Sequence, residues 1–297
     1  MKTAAQFVSE GISDVPTLQA ALQTALQLEF STIPPYLCAQ WSIDGHNDPS
    51  GVADLIEGIV VQEMSHFALA GNMLAAIKGL PSVTAPGFVP SYPLNALPGD
   101  IAQSLPVDLK PLSADQLQVF MQIELPEFPP VEPATKALVQ PPTTIGQFYT
   151  TLSDAFTAIN PPIDPSSHQI VANEATAIGS IADAVAAITK IKGEGEGTPQ
   201  SPDQPSGQLA HFYVFREIFH GKTADGTVIQ MPGVFPFTPS SATPDPSATF
   251  NTTLRNLLAR IQACWTDGGS LSLSGMFALK TQGTDLIKRG IRPGFKP

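Results

Sequence analysis

Three residues in the first quarter of the chain have the types and the spacing of metal ligands. Glu63 and His66 stand three residues apart in the segment DLIEGIVVQEMSHFALAGNMLAAI, and Glu29 lies in the preceding segment LQTALQLEFSTIPPYL. Residues three apart on a helix share a face and point toward the same neighbour. Helical bundles that hold metal with carboxylates combine a lone Glu on one helix with Glu-x-x-His on another. The pattern predicts that Glu29, Glu63 and His66 bind an ion from facing helices.

All three residues fall within the apolar faces of their own segments, where apolar side chains recur with the period of a helix. A carboxylate without compensation in a core is costly and normally takes up a proton instead. A cation is the simplest compensation for two such acids. The alternatives are a surface acid on an imperfectly amphipathic helix, or a Glu–His pair hydrogen-bonded within a core. The apolar stripes consist of Leu22, Leu26, Ile33 and Leu37 in the first segment, and Ile56, Ile59, Val60, Phe67, Ala70, Met73, Leu74 and Ile77 in the second.

Two long helices must position these residues. The periodicity predicts a first helix over Val15–Ser42 and a second over Val52–Lys78. Pro34-Pro35 lies inside the first helical pattern, which predicts a kink because proline removes a backbone donor and clashes with the preceding turn. Tyr36 is seven residues from Glu29 and therefore on the same face, either as a hydrogen-bond partner of the site or as a core residue.

The remainder of the chain also favours helices, so the predicted class is mainly α. Thirty prolines cluster in the connections, notably over residues 82–110 and 129–143, which predicts long ordered loops. Ser113, with Gln116 in capping-box position, begins a short helix. The stretch GEGEGTPQSPDQPSG is predicted as a loop that holds Glu194 and Glu196, and KTADGTVIQMPG as a small hairpin. The further helices are predicted over residues 113–127, 144–159, 174–192, 208–221, 247–265 and 271–290.

Composition narrows the function classes. A hydrophobic share of 42% over 297 residues allows a large core, and the net charge of −11 argues against nucleic acid or an anionic membrane as partner. The first residues lack the apolar stretch of a signal peptide, and no run is long enough to span a membrane, so a cytoplasmic protein is expected. Cys38 and Cys264 are predicted to be buried free thiols. The chain has no phosphate-binding P-loop, dinucleotide-binding GxGxxG or hydrolase GxSxG motif.

Several pieces of the sequence, taken in order, resemble one known family. They look like the ferritin-like domain family related to iminophenyl-pyruvate dimer synthase, the type found at the N-terminus of the violacein-pathway protein VioB. The resemblance spans Leu18–Phe295. It implies a single ferritin-like domain over residues 1–297, with a four-helix bundle core over about 15–221 and a C-terminal helical extension over about 222–297. Additional short helices and long Pro-rich loops complete the expected fold. The pieces are LEFSTIPPYL, QEMSHFALAGNML, PLSADQLQVFMQIELPE, TIGQFY, AAITKIKGEGEG, LAHFYVFREI and RPGF.

The resemblance also implies a ligand set. It carries over Glu29, Glu63 and His66, and it adds His211 at the start of a later helix. The family tends to have Glu-x-x-His there, whereas this chain has Gln208 in place of the acid, and Gln147 likewise replaces a frequent Glu in TIGQFY.

The lone acid of the second half is expected to be Glu196, within the intact Gly195-Glu196-Gly197, or else Glu194. An antiparallel helix that precedes His211 brings its end to the level of that histidine. Gln147 competes by pattern, but an amide is a weaker and neutral ligand. The alternatives are an exposed loop acid at Glu196 and a core or capping histidine at His211.

Counting charges bears on the number of ions. A full site of this type has four carboxylates and two histidines for two divalent ions. Three carboxylates (Glu29, Glu63 and Glu196) with two histidines fit one ion, and they fit two if Glu124, Glu194 or a bound substrate adds an anion. Mixed oxygen and nitrogen ligands suit iron, with manganese or zinc as alternatives.

These observations favour a metal-dependent oxidoreductase that acts on a small organic molecule. The resemblance implies a link to oxidative or secondary metabolism. Tyr36, Gln208 and Gln147 are expected to orient ligands or substrate. Two alternatives stay open: a non-catalytic module that binds metal or a small molecule or serves as an accessory subunit, and a degenerate bundle without metal. The expected partners are the substrate and either a second copy of the chain or a biosynthetic enzyme.

Overall fold

The computed structural model describes residues 2–127, 143–197, 201–204 and 207–296. These residues form nine α-helices and no strand, with β pairing limited to isolated bridges, which confirms the prediction of a mainly α class. The predicted connector over 129–143 lies, except for its last residue, outside the described residues. The helices are α1 (Ala4–Glu10), α2 (Val15–Trp41), α3 (Val52–Ala76), α4 (Ala114–Ile123), α5 (Ile145–Ile159), α6 (Ile181–Glu196), α7 (His211–His220), α8 (Ala248–Thr266) and α9 (Ser274–Lys288).

Helices α2 and α3 form the central antiparallel pair, close to their predicted bounds. Asp14 caps α2 by accepting a hydrogen bond from the Thr17 amide at 2.7 Å. The Asp48 carboxylate accepts the amides of Val52 and Ala53 at the start of α3, both at 2.9 Å. Both helices bury residues on nearly every side, because other helices cover both faces of the pair.

Helix α2 continues without interruption through Pro34-Pro35, where the sequence predicts a kink. Pro35 has no N–H to donate to the carbonyl of Ser31, four residues earlier. The hydroxyl of Tyr92 donates to that carbonyl instead, at 2.7 Å. A tertiary hydrogen bond therefore satisfies the acceptor that the proline leaves without an intrahelical partner.

Four shorter helices cover one face of the α2–α3 pair. Helix α5 packs against α6, and in addition α5 contacts α2 and α6 contacts α3. Helices α2, α3, α5 and α6 therefore form a bundle. Helices α4 and α7 pack against each other and cover the other end of the same face. As a result, the C-terminal ends of α4 and α6 and the N-terminal ends of α5 and α7 meet beside the middle of the central pair.

The predicted boundaries of α6 and α7 are wrong. Helix α6 begins at Ile181 rather than at 174, because Ser180 caps it by accepting the Asp183 amide at 3.1 Å. The same helix continues through Glu196, so Glu194 and Glu196 lie in its last turn and not in a loop; only Gly197, with φ of +78°, ends it. Helix α7 begins at His211 rather than at 208.

Helices α8 and α9 cover the opposite face of the central pair. Gly71 on α3 lies against the Trp265 ring of α8, and Gly283 on α9 lies against the Trp41 ring of α2; a Cβ at either glycine would overlap those rings. Cys38 and Cys264 are buried free thiols, as predicted. Among the described helices, none combines the length and the apolar character needed to cross a membrane.

Asn72 joins α3, α8 and the loop between α5 and α6. Its Nδ2 donates to the carbonyls of Ile170 and Thr176, and its Oδ1 accepts the Ile170 amide and the Trp265 Nε1–H. Asn72 is fully buried. An alanine at this position leaves four polar groups without this partner.

Asn72→Ala is therefore expected to lower the free energy of unfolding by about 3 kcal/mol, as for other substitutions that break a buried network. Urea denaturation followed by circular dichroism measures the change. The exposed Asn256 on α8 provides the matched control, since Asn256→Ala is expected to change stability by less than about 0.5 kcal/mol. Equal effects of the two substitutions would contradict the role of Asn72.

Candidate metal centre

The structure brings together the three residues that the spacing singles out. Glu29 of α2 and Glu63 and His66 of α3 each offer a ligand atom, and these atoms lie within 4.8 Å of one another. All three side chains are buried, with no more than 5% of any side chain exposed. The face shared by Glu63 and His66 is the one that the helical period predicts.

A second group of the same composition adjoins the first. Glu63, Glu124 and His211 also offer ligand atoms within 4.8 Å of one another, and all are buried. Glu124 is the residue that ends α4, and His211 is the first residue of α7. Glu63 belongs to both groups, so the centre has two halves, each with its own acid and histidine, joined by one common carboxylate.

Hydroxyl groups fix one oxygen of each carboxylate. Tyr149 donates to Glu29 Oε1 at 2.5 Å, Thr32 to Glu63 Oε2 at 2.7 Å, and Tyr36 to Glu124 Oε1 at 2.6 Å. The other oxygen of each carboxylate faces a histidine. Glu29 Oε2 lies 3.7 Å from the Nδ1 of His66, while Glu63 Oε1 and Glu124 Oε2 lie 2.9 and 3.8 Å from that of His211.

Both histidines turn Nδ1 toward the carboxylates and Nε2 away from them. His66 Nε2 is 2.7 Å from Glu194 Oε2, and His211 Nε2 is 2.9 Å from Gln62 Oε1. Each acceptor favours the tautomer that is protonated on Nε2, which leaves the Nδ1 lone pair directed into the centre. A partner on the outer nitrogen is the usual support of a histidine that binds metal through the inner one.

His211 Nδ1 is a buried atom without a hydrogen-bond partner among the described residues. Glu63 Oε1 is only 2.9 Å away, but the angles between the two groups do not suit a hydrogen bond. Buried polar atoms nearly always have a partner, and an atom that lacks one needs an explanation. A role of His211 as a metal ligand would explain the missing partner, because the Nδ1 lone pair would then face a cation.

Burial and the neighbouring charged groups shift the pKa values of the carboxylates in the centre. Burial raises the pKa of Glu29, with the charge of Glu63 adding to the effect. Burial also works to raise the pKa of Glu63, but the proximity of His211 and His66 outweighs it and the pKa lies below the ordinary range.

The imidazoles respond in the complementary way. Burial works to lower the pKa of His211, yet the carboxylates of Glu124 and Glu63 raise it to about 9. The pKa of His66 is raised against the effect of burial by Glu194, Glu29 and Glu63. Protons therefore provide the compensating positive charge where no cation does, and metal binding replaces them.

A cavity of about 20 Å³ lies among Glu29, Glu63, His66 and Glu124. Space of this size accommodates a single water-sized occupant. Gly195 forms part of the wall, and a Cβ there would lie 3.2 Å from Glu124 Oε2. The buried mixed donors, the inward Nδ1 atoms and this cavity all fit an iron, manganese or zinc centre.

The other predicted site residues lie elsewhere. Glu196 belongs to neither group within the described residues; its Oε2 accepts the Glu127 amide at 2.7 Å, and Lys192 lies 3.8 Å from its Oε1. Gln147 forms the capping box of α5 with Thr144. Gln208 is exposed and precedes α7, 3.5 Å from Gln62 Nε2.

Sequence reasoning placed Glu124 only as an additional anion, and it did not identify Tyr149 or Gln62. Glu124 stands seven residues after the buried Leu117, the helical spacing that also singles out Glu29. Tyr149 lies on the buried face of α5 beside Phe148 and Leu152. No pattern marks Gln62, whose role depends on the position of α7.

Comparisons with known proteins agree with the mainly α fold described above. The sequence model of a family described as Ferritin-like matches residues 22–220, from within α2 to the end of α7. Among solved structures, a ferritin like protein from Caulobacter vibrioides matches with a TM-score of 0.72 and 23% identity, covering 94% of this chain and 97% of that chain. At this identity the structural likeness shows the fold alone. No curated protein matches the chain.

Substitution of Glu124 tests whether this residue, and not Glu196, is the acid of the second half of the centre. Glu124→Gln is expected to prevent binding of the ion that Glu63, Glu124 and His211 would hold, because it replaces a charged ligand with a neutral amide. Glu196→Gln is the matched control and is expected to leave metal content unchanged. Metal content per folded chain, measured by mass spectrometry, gives the answer. Loss of an ion from Glu196→Gln, with none from Glu124→Gln, would return the assignment to Glu196.

Gln62 is expected to support metal binding through His211. Gln62→Leu removes the acceptor of His211 Nε2 and should weaken metal affinity about 10- to 100-fold, the usual effect of losing such a partner. Gln62→Glu retains an acceptor and should restore most of the affinity. Competition with a chelator measures the affinities, and unchanged affinity in folded Gln62→Leu would argue against this role.

Proposed function

Because this chain belongs to the ferritin-like family, we propose that it binds redox-active metal, iron or manganese, at the centre formed by α2, α3, α4 and α7. We further propose that the metal serves the oxidation of a small organic molecule. The observation that carries the proposal is the pair of buried Glu–Glu–His groups joined at Glu63. Zinc fits the same donors but would not support redox chemistry.

The common carboxylate favours two ions. Glu29, Glu63 and His66 would hold one, and Glu63, Glu124 and His211 the other. Three carboxylates leave two divalent ions with one uncompensated positive charge, so an additional anion from solvent or substrate would complete the balance. One ion would instead leave one negative charge in the core, which the protonation of either histidine would offset.

The surrounding residues hold the ligands in place and keep their protons. Burial and the neighbouring carboxylates Glu29 and Glu124 raise the pKa values of Tyr149 and Tyr36 well above their ordinary range, so both hydroxyls remain neutral donors. Lys190 pairs with Glu194 on the outer side, where that carboxylate orients His66. A bound iron or manganese pair would supply electron transfer to dioxygen or peroxide.

Small molecules would reach the centre from the side on which Lys192 lies. A second cavity of about 20 Å³ shares Glu124 and Gly195 with the first and extends to Glu196 and the partly exposed Lys192. Its size admits water or dioxygen, and an organic substrate would need this side to widen. The resemblance to the family related to iminophenyl-pyruvate dimer synthase supports a substrate from secondary metabolism.

Two other functions have support. The short contacts of His66 with Glu194 and of His211 with Glu63 would also stabilise a bundle that carries no metal and uses protons for compensation. A non-catalytic module that holds metal for a partner enzyme would have the same ligands. Metal content separates the first from the proposal, and oxygen consumption separates the second.

Wild-type protein prepared with iron or manganese is expected to hold about two ions per chain, as bundle sites of this kind do. Glu63→Gln is expected to reduce the content to nearly none, because it weakens both halves. Asp54→Ala, an exposed acid on the same helix, is the control and should match wild type. Metal-free wild type with native helix content, or full occupancy in Glu63→Gln, would refute the proposed centre.

The oxidase function has a separate test. Iron-loaded wild type should consume dioxygen faster than free iron at the same concentration, and addition of a suitable aromatic or 2-imino acid should accelerate the consumption. An oxygen electrode records the rate. Full metal occupancy without any protein-dependent oxygen consumption, across such substrates, would favour the non-catalytic alternative.

A further inference from the structure

A pair of side-chain amides lies behind His211, on the side away from the carboxylates. Gln62 of α3 and Gln204, in the connection between α6 and α7, are both buried. Gln62 Nε2 donates to Gln204 Oε1 at 3.1 Å, and Gln204 Nε2 donates to Gln62 Oε1 at 3.2 Å. Gln62 Oε1 also lies 2.9 Å from His211 Nε2. The amide that faces the histidine is therefore itself held by a second amide.

An amide pair of this kind does not by itself determine which way its members point. If both side-chain amides turn over together, the two hydrogen bonds between them form again. Gln62 would then present Nε2 to His211 and favour the other tautomer, which carries its proton on Nδ1. A proton on Nδ1 excludes a metal ion from that atom. An additional contact must therefore distinguish the two arrangements.

The backbone carbonyl of Leu209 distinguishes them. It lies 2.9 Å from the side-chain amide of Gln204, and the atom that faces it must be Nε2, because a carbonyl oxygen only accepts hydrogen bonds. Gln204 Oε1 then faces Gln62, and Gln62 turns Nε2 toward it and Oε1 toward His211. His211 Nε2 has to donate to this oxygen, which leaves the Nδ1 lone pair directed into the centre.

Backbone hydrogen bonds on either side hold the Leu209 carbonyl in position. The Gln204 amide donates to the Gln208 carbonyl at 2.6 Å, and the Ala210 amide donates to the Pro202 carbonyl at 3.0 Å. The chain thus returns on itself immediately before α7, with an isolated antiparallel bridge between the two arms. The carbonyl is a fixed acceptor, whereas a side-chain amide without such a contact could turn over.

We propose that Gln204 is a positioning residue of the metal centre. It orients Gln62 according to the direction of the Leu209 carbonyl. Gln62 in turn holds His211 in the tautomer that offers Nδ1 to the ion. This inference rests on the proposed function, because its consequence is metal binding at His211. It gives the connection between α6 and α7 a role in the centre, although neither group of ligand atoms among the described residues includes a residue of that connection.

Gln204→Leu tests the proposal, because leucine is close to glutamine in size but has no amide. Either direction of the Gln62 amide then becomes available, so metal affinity should fall about three- to tenfold, the effect of one net hydrogen bond. Competition of the manganese-loaded, full-length protein with a chelator measures the affinity. Gln208→Leu, on the same connection, is the matched control. Its side chain lies 3.5 Å from Gln62 Nε2, and its loss should leave the affinity nearly unchanged.

A second background separates orientation from a general effect on the fold. The carboxylate of Gln62→Glu has two equivalent oxygens, so His211 finds an acceptor whichever way it points. Gln204→Leu should therefore cause no further loss of affinity in the Gln62→Glu protein. Equal losses in both backgrounds would show that Gln204 only supports the connection, and would overturn the proposal. An unchanged affinity of Gln204→Leu in the wild-type background, or an equal loss in Gln208→Leu, would overturn it as well.

The amide pair also has a test without metal. In the metal-free protein, the effects of Gln62→Leu and Gln204→Leu on the free energy of unfolding should be less than additive, because either substitution alone breaks both hydrogen bonds of the pair. Urea denaturation of the two single variants and the double variant measures the coupling. Metal uptake with additive effects would overturn the positioning role alone. Wild-type protein that takes up no metal would refute the proposed centre, and the positioning role would fall with it.

Discussion

The burial of three carboxylates and two imidazoles in the core of a helical bundle is the constraint on which the rest of the structure depends. Each buried charge requires compensation, because an unpaired one would shift its pKa until it became neutral. The hydroxyls of Tyr149, Thr32 and Tyr36 supply one hydrogen bond to each carboxylate. They do not supply positive charge, which must come from protons on the histidines or from metal ions.

The ends of the short helices serve this balance. The N-terminal ends of α5 and α7 lie toward the carboxylates, where the partial positive charge of a helix start favours an anion. Glu194 is the opposite case, since it lies in the last turn of α6, where the helix dipole disfavours a carboxylate. Lys190 and His66 offset this disadvantage through direct contacts. The cost of keeping Glu194 there argues that its contact with His66 matters.

The sequence was sufficient to identify the half of the centre that lies on continuous helices. Glu29, Glu63 and His66 sit inside long periodic patterns, so their faces follow from spacing alone. The second half is built from helix ends, whose relative positions depend on tertiary packing. Glu194 and Glu196 illustrate this limit, because residues two apart on a helix point about 200° apart. One faces His66 and the other faces Glu127, and the assignment depends on recognising that α6 extends to both.

Helices α8 and α9 affect the electrostatic environment of the buried acids as well as the fold. Without them, the outer face of α2 and α3 would meet solvent, and the pair would be amphipathic. With them, the pair is apolar on nearly all sides, as expected of a helix enclosed by others. Water then has less access to Glu29 and Glu63 from behind, so the effective dielectric around them falls and their need for a cation increases. Helices α8 and α9 thus strengthen the requirement of the buried acids for a compensating positive charge.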